Sequence, residues 1–414
     1  MPFHRVPRDF ALTLLTALVS TGGAAVLTGG CTVTTTEATA DAGIGTADAG
    51  GGPGADTGVS TGALGFTPSN VDLGGIDLTK VGDFVVDGEG CSIDTDSNLA
   101  SCGDGAGVLG FKLATQTDGS SVAVYVARSM TILPGMNLSI AGSRPLVFIA
   151  LDAITIAGNL NGNSREEVGV AGGQSQKTDR TRGAGPGGGA AGTDLSASGG
   201  GSYCGIGGAA GAEGAPSLGG AAYGNPEISP LVAGSSGGDI GGAGGGAIQL
   251  VAGTSITIAA TGLIQVGAGG GGFGGIRTQN AAGGGSGGSV LLESLTVTIA
   301  GTVAANGGGG GAGTSNGVGA PPPEDPGGAN ATGNAVLAAG GKAGVGPSSG
   351  GSGSAAASVN GTAGSITLGN NDAAGGGGGG AGRIRINVRS GGATLSGTLS
   401  PAVSTPCATQ GTIH

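Results

Sequence analysis

The stretch GGAIQLVAGTSITIAATGLIQV, Gly245 to Val266, is written several times along this chain with polyglycine between the copies, and that repetition constrains the fold most. Val147, Ile149, Leu151, Ile154, Ile156, Gly158 and Leu160 align without a gap on Val290, Leu292, Ser294, Val297, Ile299, Gly301 and Val303. Ile248, Leu250, Ala252, Ile256, Ile258, Gly262 and Ile264 fit with small insertions. A fourth copy runs Ile384, Ile386, Val388, Ala393, Leu395, Gly397 and Leu399, and Val122, Val124, Val126, Ile132, Leu138 and Ile140 form a degenerate first one.

Apolar residues alternate within each copy and are rich in Val, Ile and Thr, which is strand periodicity. Each copy therefore predicts three short strands, with Gly158, Gly262, Gly301 and Gly397 at a corner that needs positive φ or a tight bend. One copy cannot bury its own apolar face, so the copies are expected to stack. The resulting expectation is an all-β chain, a short single-stranded-solenoid parallel β-helix of about four to five coils over 121–414, with long glycine-rich loop insertions and a small N-terminal cap.

Composition narrows the alternatives. Gly accounts for 102 of 414 residues and aromatic side chains for 2%, which is too little bulk for a conventional core of this length. Without a strict G-X-Y period this is a repeat scaffold rather than collagen. The net charge of −11 argues against nucleic acid, which needs clustered cations. Arg383, Arg385 and Arg389 form the one basic group, and their alternation reads as a solvated strand face.

The first 31 residues read as a signal: His4, Arg5 and Arg8, an apolar run from Phe10 to Ser20, then LTGGC ending at Cys31. This resembles a bacterial lipoprotein signal, which implies lipidation of Cys31, although Thr28 stands where Leu is usual and Leu27 is displaced by one. Plain secretion is the alternative. Thr32 in place of Asp then points to the outer membrane or cell surface. Residues 32–64 are Thr, Ala, Gly and Asp with hardly any large apolar residue, and are expected to be a disordered tether. Residues 65–120 carry nine acids and short apolar runs, and are expected to cap the first coil.

Four cysteines remain: Cys91, Cys102, Cys204 and Cys407. An even number in an exported chain suggests disulfides. Cys91 pairs most simply with Cys102 across a short polar loop, and Cys204 with Cys407 would join a glycine insertion to the C-terminal tail; free thiols are the competing reading.

Three insertions, Asn163–Gly244, Gly267–Gly287 and Asn306–Gly382, leave each copy after its third strand. Ordering glycine costs more backbone entropy than ordering any other residue, on the order of 1–2 kcal/mol per residue. Mobile loops with ordered bases are therefore expected; the competing arrangement packs the runs as polyproline-II-like strands.

Motifs of catalysis are weak. Gly267, Gly269 and Gly272 satisfy GxGxxG without a following helix. Ser236 and Ser286 satisfy GxSxG, yet the only histidines are His4 and His414. Asp94, Asp96 and Asn98 alternate like oxygen ligands, but Leu99 and Gly105 stand where an EF-hand needs Gly and Glu. The segments ending at Leu195 and Ile240 weakly resemble calcium-binding nonapeptides; solvated turn aspartates are the plainer reading. A glycan-degrading site would need converging carboxylates, and Asp152 and Glu293 are the main outward acids of the repeats.

With its lipoprotein-like start and the phrase SRPLVFIALDAITIAG, Ser143 to Gly158, the chain resembles the glycine-rich exported proteins of myxobacteria-type bacteria often labelled PE-PGRS-like, but it lacks a helical PE domain. That resemblance implies composition rather than an activity. The sequence thus predicts a non-enzymatic surface lipoprotein of structural or adhesive type, with no catalytic, cofactor or metal residues. Its expected partners are a membrane, through the anchor, and extracellular polysaccharide or envelope components, with no nucleic acid. A carbohydrate-active protein is the alternative.

Overall fold

Strands built from the repeats lie side by side in two sheets, one of twelve strands and one of seven. The structure is a computed structural model and describes residues 36–37, 64–102, 109–177, 179, 181–274, 281–313, 327–342, 348–366 and 374–413. Cys31, His4, His414 and most of the expected tether lie outside the described residues. Every regular element among the described residues is a strand. Among the described strands pairing is parallel except at two places, where Gly110–Thr115 runs against Ser121–Ala127 and Leu99–Ser101 against Cys91–Asp94.

The larger sheet is centred on Ala247–Ile258, which pairs along its length with Ser289–Ile299. On its other side the same strand meets two shorter ones, Leu146–Ala150 and Ala153–Ile156. The smaller sheet stacks the third strand of each copy, with Leu138, Leu160, Ile264, Val303 and Leu399 in one register. These residues face Ile154, Ile256, Ile258, Val297 and Ile299 in a single apolar core between the sheets.

The expected all-β, single-stranded-solenoid β-helix is corrected by this arrangement: there is no closed solenoid. The first two strands of the second and third copies are each one continuous strand, Ala247–Ile258 and Ser289–Ile299. In SVLLESLTVTI nothing breaks the chain between the two blocks, and the one extra residue of the second copy, where Gly253 and Thr254 stand opposite Leu295 alone, is absorbed as a register shift between Ala252 and Ser255. Where a further strand wall would have closed each coil, the chain runs as glycine-rich segments with almost no strand. So large a non-strand portion means that the described residues are not plainly all-β either.

The corner glycines act through crowding. Gly301 and Gly397 do not have positive φ; a Cβ on Gly301 would fall on the carbonyl oxygen of Gly262, and one on Gly397 on that of Gly301. Each corner sits directly against the corner of the neighbouring copy, and only a residue without a side chain allows that approach.

Two strands turn opposite to expectation. Val122, Val124, Val126, Val147 and Ile149 face away from the intersheet core, which instead receives Ala123, Tyr125, Ala127, Leu146, Phe148 and Ala150. The register confirms the slip, since Leu146 and not Val147 lies beside Ile248. Both faces of these strands are buried, so LVFIA is apolar at every position and alternation carries no sign of which face is which.

The second face is covered by the N-terminal segment. Leu64, Phe66, Val71 and Leu73 pack on Val122, Val124, Val126, Val147 and Ile149, together with Ile228 and Leu231 from the first insertion. This segment forms a strap across the outer face of the larger sheet. Beyond it, Phe84–Val86 and Cys91–Asp94 extend the two sheets as further parallel strands.

Candidate functional site

The glycine-rich segments form an ordered hydrogen-bonded body, and its central run is Ala281–Gly288. Along this run Ala281, Gly284 and Gly287 donate their N–H groups to Ala374, Gly377 and Gly380 at 2.9–3.3 Å. Ala282, Gly285 and Gly288 donate to Gly272, Gly269 and Val266 at 2.9–3.0 Å. The carbonyls follow the same rule: Ala281 and Gly284 accept from Ser198 and Gly201, Ala282 and Gly285 from Gly311 and Gly308, and Gly283 and Ser286 from Gly242 and Gly245. Each direction recurs every third residue, the period of a polyproline-II helix.

With Ser286 N donating to the Ser235 carbonyl at 2.9 Å, one run thus bonds six neighbouring segments, whereas a strand in a sheet can serve only two. The mobile loops expected from the composition are accordingly not what the described residues form. Close approach is the reason for the glycine content: a Cβ on Gly283, Gly284 or Gly285 would fall on the carbonyl oxygen of Gly199, Gly308 or Ala243. With little apolar area to bury, the body is held by buried amide hydrogen bonds, each contributing roughly 0.5–1.5 kcal/mol net and costing more if left unmade.

Both disulfides are present, Cys91–Cys102 and Cys204–Cys407. The second ties the glycine body to the C-terminal strand Ala408–Thr412 at the edge of the larger sheet. Beside it Tyr203 and Tyr223 stack with ring centroids 4.6 Å apart. Arg383 lies over the Tyr203 ring at 5.6 Å and donates through Nη2 to the Tyr223 carbonyl at 3.1 Å. Burial pushes the Tyr203 phenol up to about 12 and raises Tyr223 as well. The basic group is therefore not a uniformly solvated face. Arg383 is half-buried, Arg385 donates to Asn387 Oδ1 and the Gln410 carbonyl, and only Arg389 is exposed.

A buried polar row lies under the strap. Glu293, 1% exposed, accepts from Ser69 N at 3.0 Å, Ser69 Oγ at 2.5 Å, Gln249 Nε2 at 2.7 Å and Asn387 Nδ2 at 3.1 Å. Asn70 Nδ2 donates to Gln249 Oε1 at 3.1 Å and to the Ile228 carbonyl at 3.0 Å. The sequence marks Glu293 only as an outward acid, because the strap that covers it comes from more than two hundred residues away. Asp152, by contrast, is exposed and accepts from Thr254 Oγ1 at 3.0 Å, so the two acids do not form one site.

The other motif residues serve the fold. Gly267 and Gly269 give their N–H groups to Asn163 Oδ1 and the Ala243 carbonyl, and among the described residues no helix follows them. Ser236 and Ser286 are buried, with Ser236 Oγ accepting from Ala184 N and Ser286 Oγ from Ser235 N. Asp96 bonds Arg144 and Ser143, while Asp94 accepts from Asp96 N and Ser97 Oγ. Asp239 accepts from Gly192 N. Among the described residues no three His, Cys, Asp or Glu side chains come together in a way that could hold a metal ion.

Two outward ladders remain open to solvent. Thr131, Thr155, Thr257, Thr298 and Thr394 stand in register across the larger sheet. On the smaller sheet Asn159 donates to Asn137, Gln265 to Asn159 and Asn163 to Gln265 at 2.7–3.0 Å. Comparison of the chain with protein-family models, curated proteins and solved structures finds no match to any of them. No helix among the described residues is long and apolar enough to cross a membrane.

Proposed function

We propose that this is a non-enzymatic, exported surface lipoprotein of structural or adhesive type, anchored through Cys31 at the outer membrane or cell surface. The observation that supports this reading most is the glycine body itself, a rigid hydrogen-bonded mass built at the expense of side chains, which suits load-bearing or contact better than chemistry. Two disulfides fit an oxidising, exported setting. The threonine and carboxamide ladders offer uncharged hydrogen-bonding groups of the kind that glycan hydroxyls accept, which favours extracellular polysaccharide or envelope components as the contact. The resemblance to glycine-rich exported proteins of myxobacteria-type bacteria agrees with this reading. A carbohydrate-active role draws less support, because Glu293 is closed beneath the strap and separated from Asp152.

Metabolic labelling with a palmitate analogue tests the anchor. Label on the wild type that disappears in Cys31→Ala is expected; no label on the wild type, or unchanged label on the variant, overturns it. A glycan array with a reducing-end assay on acidic polysaccharides then separates binding from turnover.

A further inference from the structure

Beneath the strap the structure brings together a hydroxyl, a buried carboxylate and a carboxamide in the order that acyl transfer requires. Ser69 Oγ–H points to Glu293 Oε1 at 2.5 Å, and the amide nitrogen of Gln249 points to Oε2 of the same carboxylate at 2.7 Å. Asn70 Nδ2 donates to the Gln249 carbonyl oxygen at 3.1 Å, where negative charge would develop on attack. Asn387 Nδ2 holds the carboxylate from the far side at 3.1 Å. Gln249 is fully buried and Glu293 is 1% exposed, while Ser69 stands at the solvent edge with its hydroxyl directed inward.

We propose that Ser69 and Gln249 are joined by an intrachain ester formed by the protein itself. Glu293 takes the hydroxyl proton as Ser69 Oγ attacks Gln249 Cδ. The Oγ–Cδ bond forms, the Cδ–Nε2 bond breaks, and the same proton passes from Glu293 to the departing nitrogen, which leaves as ammonia. Glu293 returns to its starting state. No oxidant, metal or cofactor enters the balance. Glu293 is the general base and then the general acid, Asn70 the donor to the oxyanion, and Asn387 a positioning residue.

The place of the link gives it a purpose. After Thr36–Glu37, which pairs with Gly110 and Phe111 at the edge of the larger sheet, the strap Leu64–Leu73 is the next packed part of the chain, so a pull from the N-terminal side reaches it before the central strands. Noncovalent contacts along such a segment peel one after another. An ester from Ser69 to the central strand of the larger sheet would carry the load directly into twelve strands.

Peptide mapping by mass spectrometry on the exported full chain tests the proposal. The expected result is a Ser69-containing peptide joined to a Gln249-containing peptide with the loss of one ammonia, released by hydroxylamine, in most chains. Ser69→Ala and Glu293→Gln should both show the two peptides separate. Unlinked Ser69 and Gln249 peptides from folded wild-type protein, each at its full sequence mass, would overturn it; because the wild type alone decides, misfolding of a variant cannot obscure the answer.

Discussion

Cys204 and Cys407 are bonded with their Cα atoms 5.7 Å apart although 203 residues separate them in sequence. The bond closes a loop holding the latter part of the first glycine insertion, the whole of the other two, and the strands Ala247–Ile258, Ser289–Ile299, Arg383–Val388 and Thr394–Leu395 of the larger sheet. In the chain-entropy view a loop of that length stabilises by about 5 kcal/mol, near the upper end of what single disulfides contribute. Cys204→Ser is therefore expected to lower unfolding free energy by roughly 3–5 kcal/mol. Denaturant titration checks this, and thiol titration of the denatured, unreduced protein should find no free thiol among Cys91, Cys102, Cys204 and Cys407.

The body should be intolerant of side chains at its centre and indifferent to them at its margins. Gly284→Ala places a methyl group on the Gly308 carbonyl oxygen and is expected to destabilise by about 2–4 kcal/mol. Gly392→Ala meets nothing within 4 Å and should stay within about 0.5 kcal/mol of wild type. Equal effects from the two, in a thermal or denaturant melt, would contradict the packing.

Much of this was legible in the sequence and some was not, for reasons tied to particular residues. Ile154, Ile256 and Val297 alternate against polar neighbours, so their face could be read directly. Leu146–Ala150 is apolar on both faces, so its register could not. The fusion of the first two strands depended on the absence of a breaker in Ser289–Ile299, a weaker signal than the presence of one. Entropy argues for mobility when each glycine run is considered alone; their order comes from six neighbours at once, which no local pattern displays. Glu293 was visible as an acid, but its burial depends on Ser69 and Asn70, whose approach is purely tertiary. The Cys91–Cys102 and Cys204–Cys407 pairings were readable as candidates from parity and loop length.

All the tyrosines of the chain, Tyr125, Tyr203 and Tyr223, are raised above the ordinary phenol value of about 10, mainly by burial. Since burial favours the neutral phenol, the associated stability is present below pH 10 and is lost as pH rises toward about 12, where Tyr203 ionises. Alkaline titration followed by tyrosinate absorbance should show little ionisation near pH 10, then a steep cooperative rise coinciding with loss of structure. A three-phenol titration centred on pH 10 in folded protein would contradict the burial.

Arg128 beside Asp83, helped by Ser129, holds the Asp83 carboxyl down to about 2. Its folded value lies below the unfolded one near 3.9, so its contribution is present above pH 4 and fades as pH falls toward 2. The pair is exposed, so the effect is small and salt-sensitive. Asp83→Asn should lower Tm slightly at neutral pH, with the difference from wild type shrinking as pH falls from 4 toward 2.

Amide hydrogen exchange on Ala281–Gly288, followed residue by residue, tests the central claim most directly, because the run contains no strand and owes its order to its neighbours alone. Protection of Gly284, Gly285 and Gly287 comparable to that of Ile248 and Leu250 in the larger sheet is the predicted result. Exchange at the rate of a free glycine chain, with the sheet amides still protected, would contradict it.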